Sequence, residues 1–178
     1  MKSDLVNSTD VNRCDKIFIG MGANLSSATG SPTKTLNASL GAMASNGITI
    51  VRCSPWYRSQ PVPVSDQAWY VNGVAVIETE LEARHLLKTL HDIELQFGRH
   101  RKTRNEARVL DLDLLAYGDQ QSRSESGLIL PHPRLHERAF VLIPLADVEP
   151  DWRHPVTKLS IANMLAALPK GQIVEQLG

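Results

Sequence analysis

The chain has little cysteine, few aromatics and no charge imbalance, and each shortage removes a class of function. Only two cysteines occur in 178 residues, Cys14 and Cys53. They stand in no metal-ligand spacing and imply no disulfide framework. Cys53 lies in an apolar run and is expected to be a buried thiol. Phe, Trp and Tyr together make up 5% of the chain, which leaves few aromatics for a sheet that stacks nucleic-acid bases. Lys plus Arg equals Asp plus Glu at 19 each, so no overall field draws in nucleic acid or an anionic membrane. Any attraction for an anionic ligand must therefore be local. No run approaches the roughly 20 apolar residues that a bilayer span requires. Residues 1–15 are polar, of mixed charge, and lack the apolar stretch of a secretory signal. They are expected to form a disordered leader before a single domain over 16–178, with the cytoplasm as compartment.

Two glycine-based nucleotide motifs are also missing. Gly20-Met21-Gly22-Ala23-Asn24-Leu25 follows a strand-like run but has no third glycine, and no acidic residue follows at the spacing that holds a ribose. Gly30 to Thr35 ends like a phosphate loop without its spacing or its second glycine. His132 and His136 have no cysteine or third histidine near them, which removes a zinc site.

What is present is a regular succession of elements. Lys16 to Met21 is a short apolar strand. Ser31-Pro32 supplies an N-cap and first-turn proline for a helix carrying Leu36, Leu40 and Met43, which Asn46-Gly47 stops. Ile48 to Ser59 is rich in β-branched and aromatic residues and predicts a strand, with Pro55 marking an edge or bulge. Gln60 to Gln67 holds two prolines and is an extended loop, and Trp69 to Glu80 alternates as a strand does. Glu82 to Phe97 sets Leu86, Leu87, Leu90, Ile93 and Phe97 on one helical face before Gly98. Val109 to Tyr117 is a strand, Phe140 to Ala146 a short helix, Ile161 to Leu168 a last helix, and Ile173-Val174 a further small strand. The order β-α-β-β-α-β is the split βαβ, ferredoxin-like pattern of an α+β fold. It predicts helices on one face of an antiparallel sheet, the Val109 strand at its centre, and C-terminal additions.

The chemistry concentrates in Asp111-Leu112-Asp113. On a strand these carboxylates share one face, while Leu110, Leu112 and Leu114 turn to the core. Few oxygen ligands suit Mg²⁺, which keeps waters and takes substrate phosphates into its shell. Two such ions about 3.5–4 Å apart would clamp a transferring phosphoryl group. The plainer alternative is one solvent-facing aspartate and one that ends the strand. Upstream, Arg99 to Arg108 carries five Arg or Lys against one Glu. Beside two carboxylates, such a loop suits triphosphate handling; alone, it would read as a solvated or nucleic-acid-binding loop.

Several segments in order bring these pieces together: Gly22-Ala23-Asn24-Leu25, Trp56-Tyr57-Arg58-Ser59, Trp69-Tyr70-Val71-Asn72-Gly73, Glu94 with Gly98-Arg99, Arg108 to Asp113, and Leu130 to Arg134 with Arg138 and Phe140. Over about Ile17 to Trp152 the chain resembles the 6-hydroxymethyl-7,8-dihydropterin pyrophosphokinases. The resemblance implies ATP as co-substrate, two Mg²⁺ ions on Asp111 and Asp113, and phosphate-binding Arg99 and Arg108, these four forming the catalytic set. It implies ATP contacts for Glu94, Lys102, His132 and Arg138. It gives Tyr70, Asn72 and Phe140 to the pterin pocket, with backbone contacts from Ser59, Gln60, Pro61 and Val62. The partners it implies are small molecules, with no nucleic acid and no membrane, and nothing in the sequence demands more than a monomer.

There are departures. Many members carry Trp-Gly-Pro-Arg before the Leu-Asp-Leu-Asp block. Here Asn105-Glu106-Ala107-Arg108 is shorter and lacks the aromatic lid, so Lys102 aligns only with a gap after it. Pro133 replaces the usual aromatic after Pro-His. The implied reaction transfers pyrophosphate from ATP to the pterin, with the loops Gln60–Gln67 and Arg99–Arg108 expected to close on ATP binding. A two-metal nucleotidyltransferase and a ferredoxin-like RNA-binding module are the alternatives.

Overall fold

The computed structural model describes residues 16–98, 107–123 and 127–178. The leader over 1–15, and Arg99 and Lys102 of the basic loop, lie outside the described residues.

Strand β1 (Ile17–Ala23) is followed by helix α1 (Pro32–Ser45), whose start forms as the sequence dictates. Ser31 Oγ accepts from the Lys34 amide at 3.4 Å, and Pro32 stands where no amide is needed. The single strand expected over Ile48–Ser59 is two, β2 (Thr49–Cys53) and β3 (Tyr57–Ser59), both paired to β4 (Tyr70–Glu78). Ser54, Pro55 and Trp56 interrupt it. Ser54 Oγ accepts from the Val74 amide at 3.0 Å, continuing by side chain what the ladder would supply. Cys53 is exposed, contrary to expectation, because four of the five β2 residues, on both faces of this outer strand, lie open to solvent.

Trp56 accounts for a glycine within β4. A Cβ placed on Gly73 would stand 2.6 Å from the indole ring. Overpacking of that kind costs about 1–3 kcal/mol, so Gly73→Ala should lower the unfolding free energy from urea titration by that amount at an unchanged m-value, and an unchanged free energy would show that the ring moves freely.

Helix α2 (Ala83–Gln96) has no side-chain N-cap and is held by burial of Leu86, Leu90 and Ile93. After it come β5 (Asp111–Tyr117), the hairpin β6 (Ser122–Arg123) and β7 (Ile129–Leu130), α3 (Ala139–Val148), α4 (Ile161–Ala166) and β8 (Val174–Gln176). The main sheet is antiparallel, in the order β5–β1–β4–β3–β8 with β2 also on β4. This is the expected ferredoxin-like arrangement extended by β8. The strand bearing Asp111 and Asp113 is at the edge, not the centre, since β5 pairs with β1 alone in this sheet. Its outer backbone is partly capped: Glu94 accepts from the Leu112 amide at 2.6 Å, and the His132 amide donates to Leu115 O at 2.7 Å.

Helices cover both faces, a second departure. One face buries Ile17, Ile19, Met21, Leu112 and Leu114 against Leu36 and Met43 of α1 and Leu86, Leu90 and Ile93 of α2. On the other, Phe18, Val74, Val76 and Leu115 pack against Val141, Leu142 and Leu145 of α3, Ile161 and Met164 of α4, and Trp152. The C-terminal additions thus form the second layer over one half of that face.

Candidate active site

The remaining half of the α3-covered face carries the site. Alternation along each strand dictates its composition. Continuing from Phe18, β1 presents Gly20 and Gly22; from Val74, β4 presents Asn72 and Tyr70; from Leu115, β5 presents Asp113 and Asp111. Register aligns them, with Gly22 opposite Asp111 on one side and Asn72 on the other, and Gly20 opposite Asp113. The glycines therefore leave a flat floor between carboxylates and carboxamide.

A cavity of about 150 Å³ opens there, room for one small heterocycle rather than a drug-sized ligand, whose pockets run to roughly 300–1,000 Å³. Gly22, Tyr70, Asn72, Asp111 and Asp113 line it from the sheet. Ser59, Gln60, Pro61 and Val62 line it from the proline loop, and Arg108, Arg138 and Phe140 close the remaining side. All seven residues assigned to the pterin by resemblance meet at this cavity, together with both aspartates and two arginines. Gln67, Ser65 and Pro63 also line it and were not anticipated.

Asn72 is buried, and its Nδ2 donates to Ser59 Oγ at 2.8 Å, which fixes the amide's orientation. The carboxylates are held by cations. Arg108 Nη1 donates to Asp111 Oδ2 at 2.6 Å, and Arg138 Nη1 lies 3.7 Å from Asp113 Oδ2. Burial pushes the Arg138 pKa down against the upward pull of Asp113. At Arg108 burial also acts downward, but the charge and hydrogen bond of Asp111 leave a net rise. The Arg138 guanidinium also stands 5.5 Å from the centre of the Phe140 ring.

His132 and Glu94 do not reach the cavity; both lie along the outer edge of β5. Burial, then the Arg138 charge, pushes the His132 pKa down to about 4, with Asp111 opposing. Its Nδ1 accepts from the Arg134 amide at 3.2 Å, which leaves Nε2 as the N–H of a neutral imidazole. In the unfolded chain this histidine takes a proton near pH 6.5. Its contribution to stability is therefore complete above that pH and is lost as pH falls toward 4. His154, buried beside Trp152 and His136, has its pKa lowered by burial and then by His136, and acts in the same direction. Urea midpoints should fall from pH 7 to pH 4.5, less steeply in His154→Gln; equal slopes would remove His154 from the account.

The carboxylate pair suits a hard divalent cation in chemistry. Among the described residues no group of three or more His, Cys, Asp or Glu gathers at one point.

Comparison with known proteins bears on this geometry. Residues 18–150 match the family model described as 7,8-dihydro-6-hydroxymethylpterin-pyrophosphokinase. A 2-amino-4-hydroxy-6-hydroxymethyldihydropteridine pyrophosphokinase of Synechocystis is 37% identical over 90% of this chain and 80% of its own length. One of Pseudomonas aeruginosa is 39% identical over 86% and 92%. Among solved structures, an HPPK-DHPS of Plasmodium falciparum superposes over 89% of this chain and 46% of that one, with a TM-score of 0.67 and 13% identity, a likeness of fold. The family match over most of the chain, joined to two bacterial relatives of which four fifths or more is covered, makes this chain a member of the 7,8-dihydro-6-hydroxymethylpterin-pyrophosphokinase family.

Proposed function

We propose that the chain transfers the terminal pyrophosphoryl group of ATP to 6-hydroxymethyl-7,8-dihydropterin, a step of folate synthesis. The hydroxymethyl oxygen forms a bond to the β-phosphorus, the bond from that phosphorus to the α,β-bridging oxygen breaks, AMP leaves, and the hydroxyl proton passes to solvent. The observation that carries this reading is the meeting of Asn72, Tyr70 and Phe140 with Asp111 and Asp113 at one small cavity.

Within that cavity the amide of Asn72 reads the edge of the heterocycle, and the rings of Tyr70 and Phe140 provide its apolar contacts. Arg108 and Arg138 neutralise phosphate charge as it develops, which requires each to exchange its aspartate partner for phosphate oxygens. His132, neutral with its proton on Nε2, offers one N–H donor to the nucleotide, and Glu94, Arg99 and Lys102 complete the ATP contacts. Asp111 and Asp113 would hold two Mg²⁺ ions. Bound there, Mg²⁺ supplies charge neutralisation and alignment of the phosphates. The rest is positioning.

The proline loop Gln60–Gln67 then closes over the bound substrates. Amide exchange in Gln60–Gln67 should slow when an ATP analogue and Mg²⁺ are added; no change would sink the closure. The chain is proposed to act on small molecules as a cytoplasmic monomer. Among the described residues no helix is long and apolar enough to cross a membrane.

The test is nucleotide product. With ATP, Mg²⁺ and the pterin, AMP should form only when the pterin is present. Release of inorganic pyrophosphate would instead favour nucleotidyl transfer.

A further inference from the structure

We infer that Asn24 is the positioning residue that joins the phosphate-binding and pterin-binding halves of the site through a single carboxamide. The inference rests on the pyrophosphoryl-transfer reading. Asn24 follows β1, is buried, and lies outside the cavity lining. Its Oδ1 accepts from the Arg108 amide at 2.7 Å, and its own backbone amide donates to Arg108 O at 2.9 Å. The Leu25 amide donates to the same carbonyl at 3.2 Å. Both peptide groups flanking the Arg108 α-carbon are thereby fixed at the entry to β5.

The other end of the carboxamide faces the opposite way. Nδ2 donates to Ala68 O at 3.1 Å and to Gln67 Oε1 at 3.4 Å. Gln67 Oε1 also accepts from the Tyr70 hydroxyl at 3.2 Å, and both residues line the cavity. One buried side chain thus uses its acceptor on the segment that leads into β5 and its two carboxylates, and its donors on the exit of the proline loop. A carboxamide is the smallest side chain presenting an acceptor and two donors from one plane. Arg108 and Gln67 are separated from Asn24 by 84 and 43 residues, so the link is wholly tertiary. Angstrom-scale displacement of a phosphate-binding guanidinium is enough to cost two orders of magnitude in rate.

The test is a double-mutant cycle of Asn24→Ala with Arg108→Ala, read in kcat and in both KM values. Asn24→Ala alone should lower kcat at least tenfold and raise the pterin KM by roughly the same factor. Added to Arg108→Ala, it should lower kcat by less than about threefold, because the group it positions is gone. Asn24→Asp keeps the acceptor for Arg108 but has no donor for Ala68 or Gln67. It should recover most of kcat while the pterin KM stays raised, and it carries the test if the alanine variant does not fold. Losses that multiply in the double variant, or an aspartate variant that moves kcat and the pterin KM together, would overturn the inference. Wild-type turnover keeps the two claims apart. If the wild type makes no pterin-dependent AMP, the reaction assignment fails, and the same cycle is scored on calorimetric binding of a non-hydrolysable ATP analogue, where non-additivity still supports the link and additivity still rejects it.

Discussion

Asp111→Ala should reduce pterin-dependent AMP formation by about 10³-fold, equivalent to roughly 4 kcal/mol of transition-state stabilisation. The size of the effect follows from its place. Asp111 shares its rung of the sheet with Gly22 and Asn72, bonds to Arg108, and is less open to solvent than Asp113, with 18% against 38% of its side chain exposed. Its loss would remove one of the two proposed metal ligands and release the guanidinium that it orients. Far-ultraviolet dichroism should be unchanged, because Leu110, Leu112 and Leu114 keep β5 anchored from the opposite face. Asp111→Asn separates the reading from an RNA-binding module. It should abolish the Mg²⁺-dependent transfer and leave RNA affinity negligible, whereas a nucleic-acid binder would gain affinity on losing a negative charge.

The second large effect concerns a residue with no side chain. A Cβ on Gly22 would stand 3.2 Å from Asn72 Oδ1 and 4.0 Å from the Asp111 Cβ, on the cavity floor. Asn72 cannot easily withdraw, being buried and tied to Ser59 through Nδ2. Gly22→Ala should therefore raise the pterin KM by about 30–100-fold, or roughly 2–3 kcal/mol, with a much smaller change in kcat and none in ATP-analogue affinity. A normal pterin KM would mean that Asn72 does not read the ring.

Gly22 also shows how far the sequence can be read. Gly20 and Gly22 are legible as a strand's end, as the start of an incomplete dinucleotide fingerprint and, for Gly22, as part of the family segment Gly22–Leu25, none of which states what their missing side chains do. Their spacing of two is the same signal that puts Asp111 and Asp113 on one face, and it marks the two residues that clear the floor between partners. The carboxylate pair and the amphipathic α2 were legible because their patterns are local, with periods of two and 3.6 residues. The division of Ile48–Ser59 into two strands is foreshadowed by Pro55, whereas the packing of Trp56, within the break, against Gly73 of β4 is a long-range contact that no local pattern encodes. The edge position of β5 follows from strand order, which periodicity does not encode. The exposure of Cys53 likewise depends on which strands flank β2. Covering of the second face by α3 was hidden because that helix is apolar nearly all round, so its pattern names no preferred side. Asn24 belongs to the Gly22–Leu25 segment of the family resemblance, but its role is hidden for a related reason: its hydrogen bonds reach residues 43 and 84 positions away.

A pterin in this cavity should receive both terminal phosphates of ATP in one transfer. Phosphorus NMR of a reaction holding wild-type protein, ATP, Mg²⁺ and 6-hydroxymethyl-7,8-dihydropterin follows those phosphates directly. The three ATP resonances should give way to AMP and to a coupled pair from a diphosphate ester on the pterin. Appearance of ADP with a pterin monophosphate, or of free pyrophosphate with a nucleotidylated product, would contradict it.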